Sequence, residues 1–247
     1  MLASTSHTAA ARLAGLSLPG RVHLGAAPEP ICRLPSGVQS IDALLNGGIP
    51  QGRISELVGP LSSGKTALLL ALLAAATRRD ELVACVDVAD TLHPGSLATA
   101  GADLERLLWV RPPSVTDALR CTELLLQAGG FAVVGLDLGA PLLRPLRSHI
   151  WPRLLRAAEQ SHTALVVLAP HRIAGSFAVL SLSLRLRSIL WHRGAWPLLL
   201  GFETAVQLVR DKLGPPGQRI VIRVRDACAF PGPSLTATNT THEHDSR

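Results

Sequence analysis

The chain has no tyrosine, four phenylalanines, four tryptophans and one methionine, and only two lysines, Lys65 and Lys212, among its 24 Lys and Arg residues. With aromatics at 3%, tight single-strand binding built on stacked bases is disfavoured. The four cysteines (Cys32, Cys85, Cys121, Cys228) show neither metal-ligand spacing nor the density of a disulfide framework, so a reducing, cytoplasmic setting is expected. No apolar run approaches the roughly 18 residues of a membrane span. The longest, 67–76, reads as a buried helix, and no membrane partner is expected. Residues 1–20 lack the charged start and apolar stretch of a secretory signal.

What is present suits one substantial core: 247 residues, 47% of them hydrophobic, enough to bury on the order of 70% of the unfolded surface. A net charge of +6 and a pI near 10.1 favour an acidic partner such as nucleic acid. Residues 1–33 are expected to form a flexible arm, 34–227 the folded core, and 228–247 a polar, disordered tail. The tail histidines His242 and His244 read as solvated residues, not as metal ligands.

Between these ends, strand-like and helix-like segments alternate, predicting an α/β fold with a mainly parallel central sheet flanked by helices. Strands are expected at 53–58, 83–88, 107–110, 132–136 and 165–169, and helices at 40–45, 65–78, 94–100, 115–128 and 150–160. Three further strands, 179–187, 203–210 and 219–224, close the sheet.

Gly59-Pro60-Leu61-Ser62-Ser63-Gly64-Lys65-Thr66 spells a phosphate-binding loop between the first of these strands and the apolar helix. Glycines let backbone N–H groups turn to phosphate oxygens, and the helix N-terminus adds positive partial charge. Lys65 suits the β- and γ-phosphates and the Thr66 hydroxyl suits Mg²⁺, so ATP with Mg²⁺ is the expected cofactor pair. Asp137, closing the apolar run 132–136, is a strand-end carboxylate suited to the magnesium's water shell.

Leu34-Pro35-Ser36-Gly37, Ile41-Asp42, Gly47-Gly48-Ile49-Pro50, Gly52-Arg53-Ile54 and this form of the loop resemble the ATPase core of the RecA recombinases. The resemblance runs over 34–224 and takes in Val86-Asp87, Leu92-His93-Pro94 and Gly201-Phe202-Glu203-Thr204. It implies a RecA-like nucleotide-binding core. Within that superfamily, Leu107-Leu108-Trp109-Val110-Arg111-Pro112 followed by Asp117-Ala118-Leu119 resembles ImuA, RecA-like accessory proteins encoded with translesion polymerases.

Four departures stand out. The resemblance puts a water-activating glutamate two residues after Asp87, where this chain has Ala89; Asp90 is the nearest acid and the one stand-in catalytic residue. Loss of a positioned base costs about 10²–10⁴-fold in rate. The family's glutamine sensor falls at Pro170-His171, and the Gly-rich DNA loop after it shrinks to 171–178. A counterpart of RecA's separate C-terminal domain is not expected in the short polar stretch after the last strand.

Arg210 and Lys212 match the two cations that, in RecA filaments, reach the neighbouring subunit's triphosphate, which implies self-association. Arg144, Arg147, Arg172 and Arg185, with Arg153, Arg156 and Arg187, concentrate where DNA runs in a RecA-like core and suit salt-sensitive phosphate contacts. Trp109 is expected in the core, whereas Trp151, Trp191 and Trp196 suit either core or interface.

The expected function is a nucleotide-binding accessory of DNA-damage tolerance, in the SOS response and translesion synthesis. It would contact single-stranded or damaged DNA, and RecA or a translesion polymerase assembly, with little or no hydrolysis. Two alternatives are an active DNA-dependent ATPase in which Asp90 or His171 replaces the lost group, and an inhibitory interaction protein like the related SulA.

Overall fold

The computed structural model describes residues 31–139, 146, 149–192, 198–214, 217–225 and 236–238. Its strands are β1 (Arg33–Leu34), β2 (Ile49–Pro50), β3 (Ile54–Val58), β4 (Leu82–Asp87), β5 (Leu107–Val110), β6 (Phe131–Asp137), β7 (Ala164–Ala169), β8 (Ala178–His192), β9 (Leu198–Asp211), β10 (Arg219–Arg225) and β11 (Thr236–Thr238). Its helices are α1 (Gln39–Leu44), α2 (Lys65–Thr77), α3 (Pro94–Thr99), α4 (Val115–Ala128) and α5 (Ile150–Ser161).

Nine strands form one sheet in the order β11-β10-β9-β8-β3-β7-β6-β4-β5. From β8 to β5 all neighbours are parallel, and β9, β10 and β11 follow antiparallel to one another and to β8. The expected α/β class, parallel sheet and antiparallel close are therefore all present. β1 and β2 pair as a separate two-stranded ribbon, and β11 lies within the stretch read as tail.

Parallel strands covered on both faces need apolar side chains on both. Every residue of β3 and of β7 is buried. One face packs Leu57, Val83, Cys85, Val133 and Val166 with α1, α2 and α3; the other packs Ile54, Ala84, Val86, Val134 and Val167 with α4 and α5. Trp151, at 3% exposure, belongs to this second layer, which settles it as core.

Glu56 is the exception inside β3, a carboxylate with no exposed surface. One oxygen accepts the N–H groups of Ile173 and Ala174 at 2.8 and 2.7 Å, and the other accepts Ser181 Oγ at 2.8 Å. Arg172 Nε stands 3.7 Å away. A buried charge persists only when paired and hydrogen-bonded. Glu56 thereby pins the crossover 170–177 that carries the chain from β7 past β3 to β8.

β8 and β9 are longer than the sequence pattern suggests, reaching His192 and starting at Leu198. Three bulges interrupt their register, at Ser181/Leu182, Leu186/Ser188 and Leu190/Trp191. Each breaks the period-two alternation by which a strand is recognised.

Candidate nucleotide site

Because β3, β4, β6 and β7 are parallel, their carboxyl ends line one edge of the sheet, where ligands of open α/β sheets bind. Registers align Asp87 with Asp137, Asp137 with Leu168, and Val58 with Ala169. The phosphate loop, both aspartates and Pro170 thus share one edge.

The loop conformation depends on its glycines. Gly59 has φ +157°, and a Cβ there would fall on the Leu184 carbonyl oxygen of β8. Gly64 has φ +91°, and a Cβ there would come within 2.8 Å of Thr204 Oγ1 and 3.3 Å of Phe202 Cε2 on β9. Ser62 also takes a left-handed φ of +57°. Pro60, Leu61 and Ser62 are exposed, whereas Gly59, Ser63 and Gly64 are buried.

α2 starts at Lys65 behind Gly64 with no side-chain cap, so its first-turn N–H groups are left to a ligand or solvent. Lys65 Nζ donates to the carbonyl oxygens of Gly59 and of Pro60 (2.9 Å for the latter), curling over its own loop. Burial lowers its pKa, and the Asp137 charge opposes that shift. Thr66 is half-buried on the first helical turn.

Asp137 accepts the Gly139 N–H at 2.9 Å. Burial raises its pKa, the nearby Asp87 adds to the rise, and the Gly139 N–H and Lys65 pull it back. Asp87 is 1% exposed; one oxygen accepts the Leu92 N–H at 2.8 Å, and the other has no partner. Burial and these two charges push the Cys85 thiol far up, so it stays protonated in the core.

Ser63 Oγ and Thr204 Oγ1 are likewise buried without partners. Unsatisfied buried groups beside an anion-binding turn, an uncapped helix start and a lysine held only by carbonyls form a donor set that fits a triphosphate. The paired carboxylates Asp87 and Asp137 and the Thr66 hydroxyl fit a hard divalent cation such as Mg²⁺.

Ala89 stands beside this edge. The Val88 N–H donates to the Asp137 carbonyl at 3.0 Å, and a Cβ on Gly139 would lie 3.0 Å from Ala89 Cβ. Asp90, with φ +54°, turns toward the outer strand: its carboxylate pairs with Arg111 at 3.5 Å, and Arg111 in turn lies 4.8 Å from the Trp109 ring centroid. Trp109 packs against the core from β5.

Arg210 lies at the C-terminal end of β9 and Lys212 just past it, six and eight residues on from Thr204. Arg210 Nη1 donates to the Gly175 carbonyl at 3.4 Å, and Lys212 Nζ donates to the Ser176 carbonyl, so within the subunit both hold the crossover. Of the arginines, Arg144 and Arg147 lie outside the described residues. Arg153, itself 58% exposed, holds the buried Glu123 in a bidentate pair at 2.9 and 2.6 Å, tying α5 to α4. Arg156, Arg172, Arg185 and Arg187 are exposed.

Sequence reasoning missed Glu56, Glu123 and the backing of the loop by Leu184 and Phe202. A lone acid inside the apolar run Ile54-Ser55-Glu56-Leu57-Val58 was the available signal for the first.

The RecA N-terminal domain family matches residues 21–147, just over half of the chain. The chain belongs to the RecA family. RecA of Prochlorococcus marinus (strain MIT 9303) is 35% identical over 142 residues, 58% of this chain and 37% of that protein. RecA of Brucella anthropi is 29% identical over 222 residues, 76% of this chain and 61% of that one. The chain thus spans between about a third and three-fifths of these RecA proteins. The crystal structure of the RadB recombinase shares the fold, with a TM-score of 0.62 and 22% identity over 77% of this chain and 96% of that chain. No helix among the described residues is long and apolar enough to cross a membrane.

Proposed function

We propose that this RecA-family protein binds ATP with Mg²⁺ at the phosphate loop as a regulatory ligand and hydrolyses it slowly or not at all. The observation that carries the reading is Ala89, a methyl group at the position that the RecA resemblance assigns to the water-activating glutamate, beside an otherwise complete phosphate loop and the Asp87–Asp137 pair. Gly59 to Thr66 would hold the phosphates, Lys65 exchanging its two carbonyl partners for phosphate oxygens. Thr66 and Asp137 would hold the metal. The Arg111 pairing of Asp90 supports a role for that acid at the sheet's outer edge and not at the nucleotide.

The wider reading is an accessory of DNA-damage tolerance similar to ImuA, cytoplasmic and nucleoid-associated, acting with RecA or a translesion polymerase in the SOS response. Arg172 and Arg185, with Arg144 and Arg147, would contact DNA phosphates, and Arg210 and Lys212 would meet the triphosphate of a stacked neighbour. Family membership and the basic charge support these assignments.

The test pairs binding with turnover. Wild type is expected to bind a fluorescent ATP analogue in a Mg²⁺-dependent way, Lys65→Ala to lose that binding, and both to show little single-strand-stimulated phosphate release. Ala89→Glu is expected to raise turnover by about tenfold or more. Robust DNA-stimulated hydrolysis by wild type, abolished by Lys65→Ala, would overturn the reading.

A further inference from the structure

Behind the phosphate loop, β9 turns one polar group toward a buried glycine. Thr204 has no exposed surface, and its hydroxyl oxygen is the atom that comes nearest the loop. That oxygen stands 2.8 Å from where a Cβ on Gly64 would lie, with the Thr204 Cβ at 3.5 Å. It has no hydrogen-bond partner among the described residues.

The side chains around Thr204 on its sheet face are apolar. Register sets it opposite Leu186 on β8 and Ile222 on β10. Along β9 its neighbours on the same face are Phe202 and Val206, because alternate residues share a face. Val206 and Ile222 belong to the core, and Phe202 Cε2 lies 3.3 Å from the same point beside Gly64. Valine has nearly the same shape, suits a strand as well, and would leave no donor unpaired in such surroundings. As a packing residue alone, Thr204 is therefore the poorer choice. A buried hydroxyl without a partner is a cost to the fold, and it calls for an explanation.

Its position supplies one. Gly64 is the N-cap of α2, with φ +91° and no side-chain cap, so the N–H groups suited to phosphate oxygens begin at the residue that Thr204 touches. Ser63 Oγ and Asp87 Oδ1, also buried without partners, belong to the same loop and the same sheet edge. Seven such atoms occur among the described residues, and because three of them gather here, the clustering points to a ligand as their partner.

We infer that Thr204 is a positioning residue of the nucleotide site, its hydroxyl bonding within the phosphate-loaded loop and contributing nothing to the free one. The inference rests on the reading that the loop binds ATP. A hydroxyl engaged only in the bound state stabilises the complex and not the fold, so removing it moves the two in opposite directions.

The experiment compares Thr204→Val, Thr204→Ala and Thr204→Ser with wild type in the full chain, by thermal melting without nucleotide and by titration with a fluorescent ATP analogue and Mg²⁺. Thr204→Val is expected to raise the nucleotide-free midpoint by about 2–4 °C. The same variant should bind the analogue about tenfold more weakly. Thr204→Ser keeps the hydroxyl and loses the methyl, so it should melt lower than wild type yet bind within about twofold of it. Thr204→Ala leaves space in place of the hydroxyl and should weaken binding as Val does; wild-type affinity in that variant would make the Val loss a steric clash and overturn the inference. A Val variant that melts lower than wild type, or does not fold, would show the hydroxyl already engaged in the free protein and overturn it too. Failure of wild type to bind the analogue would sink the reading of the loop along with this inference. Binding by wild type that Val and Ala leave unchanged would sink this inference alone.

Discussion

The two parts of the nine-stranded sheet are built on different terms. Strands β3, β4, β6 and β7 lie between two helical layers, and nearly all their side chains are buried. The antiparallel part begins the same way, with Ala178 to Leu182 of β8 buried, and then runs out past the helices until Arg185, Leu186 and Arg187 are all exposed. Acidic residues follow the same divide. Glu56 in the parallel part has both oxygens engaged and no exposed surface, whereas Glu203 in the antiparallel part sits on a half-open face against one arginine and one serine. One strand is thus core at one end and solvent-exposed at the other. The phosphate loop falls at the boundary, where β8 and β9 back Gly59 and Gly64.

That contrast can be broken most directly at the two glutamates. Glu56→Ala strands two buried backbone N–H groups and a serine hydroxyl, and is expected to cost about 3 kcal/mol or more. Glu203→Ala removes a partly exposed pair and should cost about 1 kcal/mol or less. Urea unfolding of both variants checks this; equal losses would erase the distinction. Arg153 and Arg185 sharpen it next. Arg153→Ala leaves the buried Glu123 unpaired and is expected to cost about 2 kcal/mol while leaving the salt dependence of DNA binding unchanged. Arg185→Ala should alter stability by about 0.5 kcal/mol or less and lower the salt slope by about one phosphate contact.

The smallest effect concerns Asp137. Burial and Asp87 raise its folded-state pKa above the ordinary carboxylate value. A raised pKa means a stability contribution fully present below the unfolded value, about 3.9, and lost as pH rises through the folded one. At neutral pH the ionised group is therefore a cost. Asp137→Asn is expected to raise the thermal midpoint at pH 7, with the gap to wild type closing toward pH 4. A midpoint lower than wild type at pH 7 would contradict the assigned burial.

Much of the fold could be read in the chain because local signals agreed. The apolar runs of β3, β6 and β7, the uninterrupted leucines and alanines of α2, and the glycines of the phosphate loop each carry their own pattern. What escaped reading lacks a local pattern. Bulges hid the outer halves of β8 and β9, since they shift the face on which successive residues stand. The commitment of Arg153 to Glu123 spans 30 residues, and that of Glu56 to Ile173 spans 117. The position of the loop between β3 and α2, and of Asp137 at the end of β6, was legible. The turning of Asp90 toward Arg111 and the backing of Gly64 by Phe202 and Thr204 were not, because those contacts join strands that are distant in sequence.

The amino-acid sequence by itself determined the α/β alternation and the phosphate-binding turn, because periodicity and glycine conformation are local properties of the chain. Only the tertiary structure decided which charges are spent in the core and which remain free at the surface, and which strands back the phosphate loop. Burial and strand register depend on partners far along the chain, and no short stretch of residues contains them.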